Sequence, residues 1–242
     1  MPATFTSFSP LYQQIKDLLM TSLQSGEWKP GDLIPSEMDL AARFQVSQGT
    51  VRKAIDSLAA DNLLTRRQGK GTYVASHQEI NKEYRFLRLV SDANAPLVLQ
   101  NQFLSCKSVK ALSWIARALK IQTGDSVIQI ERIQLAQGKP IVLEEIWLLS
   151  SRFKGISLDE LNRWPTSLYA FFESEFSTHM VRAEEKIKAI EADLHVSSRL
   201  GISQGTALLQ VERLSFTYGN KPVELRLAKY HTSQQHYANL LS

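Results

Sequence analysis

Apolar residues recur at helical spacing near the start of the chain. Leu11, Ile15, Leu19 and Leu23 lie four positions apart, so they share one face of a helix. Gly26 follows and suits the end of a helix, because glycine adopts the left-handed backbone conformation that often terminates one. The pattern therefore predicts one amphipathic helix before residue 26.

Two shorter helices are predicted next, each with its own start signal. Ser36 with Asp39 three residues later forms a capping box, and Leu40 begins the apolar face of that helix. Ser47 comes after a tight turn and can cap a third helix, whose apolar positions fall within residues 51–58. Two short helices joined by a tight turn form a helix-turn-helix.

A small hairpin is predicted after these helices. Two short strands within residues 63–74 flank a Gly69-Lys70-Gly71 tip, and Arg66 and Arg67 lie beside it. Glycines let a backbone approach another molecule closely, and crowded cations favour an anionic partner. Either element alone is most often a packing unit or a plain turn. Their order, helix, helix-turn-helix and basic hairpin, favours DNA binding.

The charge distribution supports this interpretation. The 242-residue chain has a net charge of only +4, yet residues 43–75 carry six basic residues against two acidic ones. Basic charge is thus focused on one short stretch, which suits contact with a polyanion. On charge alone, a solvated charged face is an equally good explanation.

Composition and motif searches exclude several classes. The single cysteine, Cys106, cannot form an internal disulfide or a C-x-x-C site. No signal-peptide pattern and no run of about 18 apolar residues is present, so we expect a cytoplasmic protein without a membrane partner. The histidines show no i,i+4 metal pair, and there is no GxSxG or GxxxxGK motif. We therefore expect no metal site, no cofactor and no catalytic residues.

The stretch PSEMDLAARFQVSQGTVRKAIDSLAADNLLTRRQGKGTYV resembles the winged helix-turn-helix of the GntR transcriptional regulators. Their pattern is PSE-x-x-LA, then VS-x-x-TVR-x-A, then GKGT-(F/Y)V. The resemblance and the residues together give the candidate DNA contacts, which are Ser36, Glu37, Arg43, Ser47, Gln48, Thr50, Arg52, Lys53, Arg66, Gly69, Lys70 and Gly71.

Two positions depart from that family pattern. Many members carry Arg where this chain has Gln48; Gln pairs best with adenine and Arg with guanine, so we expect an altered operator preference. Asn62 replaces the usual Gly after the recognition helix and still suits a helix C-cap.

The rest of the chain contains an internal repeat. Residues 119–140 parallel residues 200–222, and the shared residues, displaced by 81 positions, include Leu119, Ile121, Gly124, Gln129, Glu131 and Arg132. Strand-like runs precede the two copies at 97–104 and 186–192. The repeat predicts a duplicated strand–helix–strand–strand unit that forms one α+β domain with an antiparallel sheet.

The repeat places Arg132 and Arg213 at equivalent positions. Alternation puts Arg132 on the same strand face as Ile128 and Ile130, where a charge needs a partner. One hypothesis is that this guanidinium points inward and holds an anion. The alternative is that the Glu-Arg pairs face solvent or bridge neighbouring strands, and the pattern leaves both open.

Residues 84–240 resemble the UTRA ligand-binding domain of the HutC subfamily of GntR regulators. The resemblance lies in G-x-x-x-x-x-(I/L)-x-R, A-x-GKPI-x-LE-x-x-(Y/W)L and the final GNKPVE…KYH. It implies a chorismate-lyase-like fold with a pocket for a small effector. The effector contacts that it implies are Arg132, Glu144, Ser167, Tyr169, Glu224 and Tyr230.

Two departures argue against a phosphosugar effector. Gln134 stands where many sugar-phosphate-binding members have a second basic residue. The segment YRFLRLVSDANAP (84–96) replaces their S-(F/L)-T-E, and its Arg85 and Arg88 are alternative sources of charge.

These observations combine into one prediction. Residues 1–77 form a winged helix-turn-helix domain, 78–84 a linker, and 85–242 a UTRA-like effector-binding domain. Because one helix-turn-helix reads too few base pairs, we expect a homodimer on a two-fold symmetric double-stranded operator, repressing transcription until a small anionic or polar effector binds. One alternative is a chorismate-lyase-like enzyme with a DNA-binding domain. Another is a structural DNA-bending protein, which leaves the large second domain unexplained.

Overall fold

The computed structural model describes residues 9–77, 88–93, 97–164 and 167–239. The chain divides into two compact units, Met1–Ile80 and Asn81–Ser242. The linker predicted at 78–84 and the candidate Arg85 lie outside the described residues. Within the described ranges, no helix combines the length and the apolar character needed to cross a bilayer.

The first unit has three helices followed by a two-stranded hairpin. Its elements are α1 (Leu11–Ser25), α2 (Glu37–Phe44), α3 (Gln48–Ala60), β1 (Leu64–Arg67) and β2 (Gly71–Val74). β1 and β2 pair antiparallel, and Leu33 adds a single bridge to Tyr73 of β2. Ile15, Leu40 and Ile55, from the three helices, are fully buried and form the centre of the core.

The predicted helix ends are confirmed. Ser36 caps α2 in a capping box with Asp39, and the Ser47 side chain accepts the Thr50 N–H of α3 at 3.2 Å. Gly26 ends α1 in the left-handed conformation. The C-cap of α3 is Asp61, and Asn62 takes the left-handed conformation one residue later, where its N–H bonds the Ala59 carbonyl.

The second unit is built on a six-stranded antiparallel sheet in the order β4-β5-β6-β9-β8-β7, and β3 pairs with β10. Its strands are β3 (Leu89–Ser91), β4 (Leu99–Lys110), β5 (Ser126–Ala136), β6 (Lys139–Leu149), β7 (Arg182–Glu191), β8 (Ala207–Thr217), β9 (Lys221–Tyr230) and β10 (Gln235–Tyr237). Its helices are α4 (Ser113–Leu119), α5 (Leu158–Arg163), α6 (Leu168–Phe176) and α7 (Leu194–Leu200).

The predicted duplication is confirmed. The run β4-α4-β5-β6 recurs as β7-α7-β8-β9, and the two copies meet where β6 pairs with β9. The strand predicted at 97–104 runs on to Lys110, and the one predicted at 186–192 begins at Arg182. Both are edge strands, so much of their length is exposed and lacks the apolar alternation that marks a buried strand.

The sheet packs against helices on both faces. On one face, α4 covers Trp147 and Leu225, while α7 covers Ile133 and Leu143. The opposite face packs against the region of α5 and α6 through a cluster that includes Ile130 and Phe172. Arg132 lies on this second face, as the alternation predicted.

The duplication yields a stability prediction at the start of α4. Asp193 caps α7 by accepting the Val196 N–H at 2.8 Å, whereas the equivalent residue before α4, Leu112, is 61% exposed and has no capping side chain. The two positions have similar extended backbone angles. We expect Leu112→Asp to stabilise the protein by about 0.5–2 kcal/mol, because it satisfies an orphan amide.

Urea unfolding of Leu112→Asp beside Leu112→Ala measures this gain, since the alanine variant removes the leucine without adding a cap. Asp193→Leu should lose a similar amount. Equal stability of the Asp and Ala variants would contradict the prediction.

Candidate functional site

The start of α3 presents polar side chains to solvent. Gln48, Arg52 and Lys53 are exposed, and Val51 on the opposite side is fully buried. The Ser47 and Thr50 hydroxyls lie 2.9 Å apart, so both belong to the cap that fixes this helix end. The capped N-terminus of α3 therefore presents one amide and two cationic side chains to solvent.

Glu37 joins three of the predicted contact residues. Its Oε2 accepts from Arg52 Nε at 2.9 Å and from Gln48 Nε2 at 3.2 Å, and its Oε1 lies 2.9 Å from Arg66 Nη2. Arg66 also pairs with Asp56 at 2.8 Å. Partial burial acts to raise the pKa of Glu37, but hydrogen bonds from Arg52, Arg66 and Gln48 outweigh it and lower that pKa.

Two other predicted contacts are held within the domain. Arg43 makes a two-pronged ion pair with Glu27, and its guanidinium lies over the Trp28 ring. The Ser36 hydroxyl belongs to the capping box of α2. These contacts position both side chains, and their contact with DNA stays a prediction.

Both glycines of the hairpin tip adopt a positive φ, which favours glycine. Gly69 and Gly71 have φ of +69° and +103°, and a Cβ on Gly71 would lie 2.7 Å from Leu33 Cδ1. Lys70 lies between them and is exposed, so the tip presents the backbone and one cation to solvent. Arg67 stacks on Tyr73 with its guanidinium carbon 4.2 Å from the ring centroid.

The second unit carries a chain of buried charges across its central strands. Arg132 of β5 pairs through Nε with Glu144 of β6. Arg226 of β9 bonds Glu144 Oε1 through Nη1 at 3.3 Å and Glu224 Oε1 through Nε at 2.9 Å. We call these linked ion pairs, together with the neighbouring pair Arg213–Glu185, the polar belt.

Neighbouring side chains extend the polar belt. The Tyr169 hydroxyl from α6 donates to Glu224 Oε1 at 3.0 Å and lies 3.0 Å from the Ser215 hydroxyl. Arg213 bonds Glu185 Oε1 through Nε at 2.6 Å. Ser167 instead caps α6 by accepting the Ala170 N–H at 3.1 Å.

The Arg132 side chain combines features of both hypotheses drawn from the sequence. Arg132 points into the buried face and bridges to Glu144 on the neighbouring strand, while Glu131 lies 3.1 Å from Arg199 on a separate helix. Arg132 Nη1 also donates to Asn101 Oδ1 at 3.1 Å, and Gln134 Nε2 donates to the same oxygen at 3.0 Å. The guanidinium is thus both inward-facing and strand-bridging.

Burial and charge set the protonation of the belt. Burial acts to raise the pKa of Glu144, but the Arg132 and Arg226 guanidiniums outweigh it and bring that pKa to about 2. Burial, followed by the Glu144 charge, raises the pKa of Tyr230 to about 12. Glu224 Oε2 is buried and has no hydrogen-bond donor among the described residues, so it is a buried acceptor without a partner there.

The structure brings together Arg132, Glu144, Tyr169, Glu224 and Tyr230. The sequence interpretation missed Arg226, which joins the two carboxylates. Alternation along β9 could have found it, because Arg226 lies two residues from Glu224 and shares its strand face. The alternative cation Arg88 directly precedes β3, and its carbonyl accepts the Ala238 N–H.

Removing the Glu144 charge should destabilise the second unit. In Glu144→Gln two buried guanidiniums lose their shared counter-charge, which we expect to cost about 3–5 kcal/mol at pH 7. A carboxyl with a lowered folded pKa stabilises above its ordinary pKa of 4.5 and loses that effect as the pH falls towards about 2. The gap between the wild type and the variant should therefore shrink over that interval.

Urea unfolding at pH 7 and pH 3, followed by tryptophan fluorescence, measures the gap. Glu191→Gln, an exposed carboxyl on β7, is the control and should change stability little. A gap that is the same at both pH values would contradict the assigned ion pairs.

Two family models match the sequence. Residues 11–74 match the bacterial regulatory proteins of the gntR family, and residues 95–236 match the UTRA domain. The mannosyl-D-glycerate transport/metabolism system repressor MngR of Escherichia coli K12 is 30% identical over 204 residues, 83% of each chain. The repressor NagR of Bacillus subtilis is 26% identical over 239 residues, 96% of each chain.

A crystal structure gives a matching fold. The ligand-binding domain of a regulator assigned to the GntR family from Bordetella bronchiseptica is 39% identical, with a TM-score of 0.64. That comparison covers 66% of this chain and 99% of the other. The winged helix-turn-helix and UTRA resemblances, the α+β fold class and the ligand-responsive regulatory function predicted from the sequence are therefore confirmed. The chain belongs to the GntR family of bacterial transcriptional regulators and carries a C-terminal UTRA domain.

Proposed function

We propose that this regulator represses transcription as a homodimer on a two-fold symmetric operator and releases the DNA when a small polar effector binds at the polar belt. The observation that carries the proposal is the pairing of two sites in one chain. One is an exposed basic helix with a glycine-tipped wing, and the other is a buried polar cluster with an unsatisfied acceptor.

The DNA-binding half of the proposal rests on α3 and the wing. A helix with an exposed amide and two cations at its start fits the major groove, and the Lys70 tip suits the adjacent phosphates. One such helix reads only a few base pairs, so two copies on half-sites about one helical turn apart supply the needed specificity.

The effector half rests on the charges of the polar belt. Arg132, Arg213 and Arg226 are balanced by Glu144, Glu185 and Glu224. A phosphate dianion would upset this balance, and Gln134, bonded to Asn101, supplies no extra cation. We infer an effector with hydroxyl or ammonium donors for Glu224 Oε2 and at most one acidic group for the guanidiniums.

The same charges argue against an enzyme. A general acid or base works best with a pKa near the working pH, whereas the Glu144 carboxyl has a pKa of about 2. Guanidiniums hold Glu144, Glu185 and Glu224 in ion pairs. We infer that the belt binds a ligand without transforming it, and that the protein acts in the cytoplasm, where DNA and metabolites meet.

The two sites must be linked thermodynamically. An inducer weakens operator binding only if it binds the DNA-free form more tightly, and a useful coupling is about 1–3 kcal/mol. In our proposal the effector favours a dimer geometry whose two recognition helices no longer match the half-sites. A ligand that fills the site without changing operator affinity would exclude this mechanism.

Operator binding tests the proposal first. Fluorescence anisotropy should show tight binding to the DNA flanking the protein's own gene and weak binding to a scrambled duplex. Affinity should fall steeply between two salt concentrations, because each phosphate contact releases counterions. Equal, weak affinity for both duplexes would count against repression at this site.

Two substitutions should separate the functions. Arg52→Ala should weaken operator binding about 10-fold or more and reduce the salt dependence, while effector binding is retained. Arg132→Ala should retain operator binding and lose release by any compound that releases the wild type. Operator affinity and ligand-induced thermal shift give the two readouts.

Arg163→Ala, which removes an exposed arginine on α5, is the control for loss of positive charge. A normal ligand response in Arg132→Ala would show that the effector does not bind at the polar belt. An unchanged operator affinity in Arg52→Ala would contradict the assignment of α3 to the DNA interface.

A further inference from the structure

Glu37 is an unexpected residue in a surface that binds DNA. Its carboxylate lies among Gln48, Arg52 and Arg66, yet a negative charge beside phosphates opposes DNA binding. Ion pairs whose arginine is exposed, as Arg52 and Arg66 are, add little to folding stability. The Glu37 side chain is only 13% exposed, while the Arg52 side chain is 57% exposed. The carboxylate is therefore less accessible than the guanidinium that it pairs with. Such an arrangement suits a positioning role better than a contact role.

The hydrogen bond to Gln48 fixes which way its carboxamide faces. Glu37 Oε2 can only accept, so the Gln48 group directed at it must be the Nε2 amide and not the Oε1 oxygen. One N–H is used by this bond. The second N–H and the Oε1 acceptor remain for a partner.

That remaining pair matches one base. Adenine presents the N7 acceptor and the N6 amino donor in the major groove, which the free N–H and Oε1 of Gln48 complement. Guanine presents two acceptors there, N7 and O6, so O6 would face the Gln48 oxygen without a proton between them. A carboxamide free to turn over would lose part of this discrimination.

We propose that Glu37 is a positioning residue that orients the Gln48 carboxamide to read adenine in each operator half-site. The inference rests on the proposed DNA-binding function and concerns which base is read. It makes Glu37 a positioning residue instead of the direct DNA contact that the sequence analysis predicted. The same carboxylate holds Arg52, one turn further along α3, and Arg66 of the wing strand.

The first step of the test finds the base that Gln48 reads. Anisotropy titrations use the wild-type operator and duplexes in which each A·T pair of the half-site is changed to G·C. The position at which Gln48→Ala loses its preference is the one that Gln48 reads. A good bidentate contact should give the wild type a preference for adenine of about 5- to 150-fold.

The second step measures that preference in Glu37→Gln and Glu37→Ala. We expect it to fall to about 3-fold or less, while affinity for scrambled DNA stays the same or rises because a negative charge is lost. Glu27→Gln is the matched control, since Glu27 pairs with Arg43 in the same domain and does not bond Gln48. It should retain the wild-type preference.

The possible outcomes separate the claims. An unchanged adenine preference in both Glu37 variants would overturn the positioning role, and so would an equal loss of affinity for every duplex, which indicates a purely structural role. A Gln48→Ala variant with the wild-type preference at every position would overturn adenine reading itself. If the wild type does not distinguish operator from scrambled DNA, the proposed function fails, and the inference fails with it.

Discussion

Pairing between β6 and β9 is the contact on which the second domain depends, because among the described strands it alone joins the two copies of the repeat within the sheet. An approximate two-fold relation passes through this join and brings equivalent residues close together. Glu144 and Arg226 are equivalent once the extra residue Asn220 is counted, and they pair with each other at 3.3 Å. Like charges at these positions would repel across the join. The opposite charges of Glu144 and Arg226 instead attract across the join.

The two copies also differ in how they use their shared arginine. Arg132 pairs towards the join with Glu144, whereas Arg213 pairs away from it with Glu185 on the edge strand β7. Arg226 and Glu224 both lie on the second copy, so the belt is not symmetric about the join. A duplicated scaffold thus presents one asymmetric polar site, which suits a small ligand without two-fold symmetry.

Local signals in the sequence predicted most of the fold. The helix caps Ser36 and Ser47, the glycine-tipped wing and the 81-residue repeat each depend on residues a few positions apart or on direct self-similarity, so they are visible without coordinates. The short pair of β3 and β10 joins residues 89–91 to 235–237, a separation that no local pattern reveals.

The candidate sites were predictable to different degrees. The alternation along β5 indicated that Arg132 faces the core, but its partner Glu144 was assigned only by family resemblance. Arg226 bonds a residue 82 positions away, so its role depends on the order of the strands. In the helix-turn-helix the pattern gave Glu37, Gln48, Arg52 and Arg66 as separate candidates, and it did not show that Glu37 bonds the other three.

The two candidate sites hold their ion pairs in opposite settings, and this difference fits the tasks that we propose for them. The Arg52 side chain is well exposed, so its pair with Glu37 can open for about 0–1 kcal/mol and DNA can compete for the guanidinium. The side chains of Arg132, Glu144, Arg226 and Glu224 are each less than a tenth exposed, and breaking a buried pair costs several kcal/mol unless the lost contacts are replaced. A ligand that disturbs these pairs must therefore replace their hydrogen bonds, whereas one that uses the Glu224 Oε2 acceptor leaves the chain of pairs intact. In the proposed function, selectivity at the belt follows from matching donors to that oxygen, and selectivity at the operator follows from the bases that the exposed groups can reach.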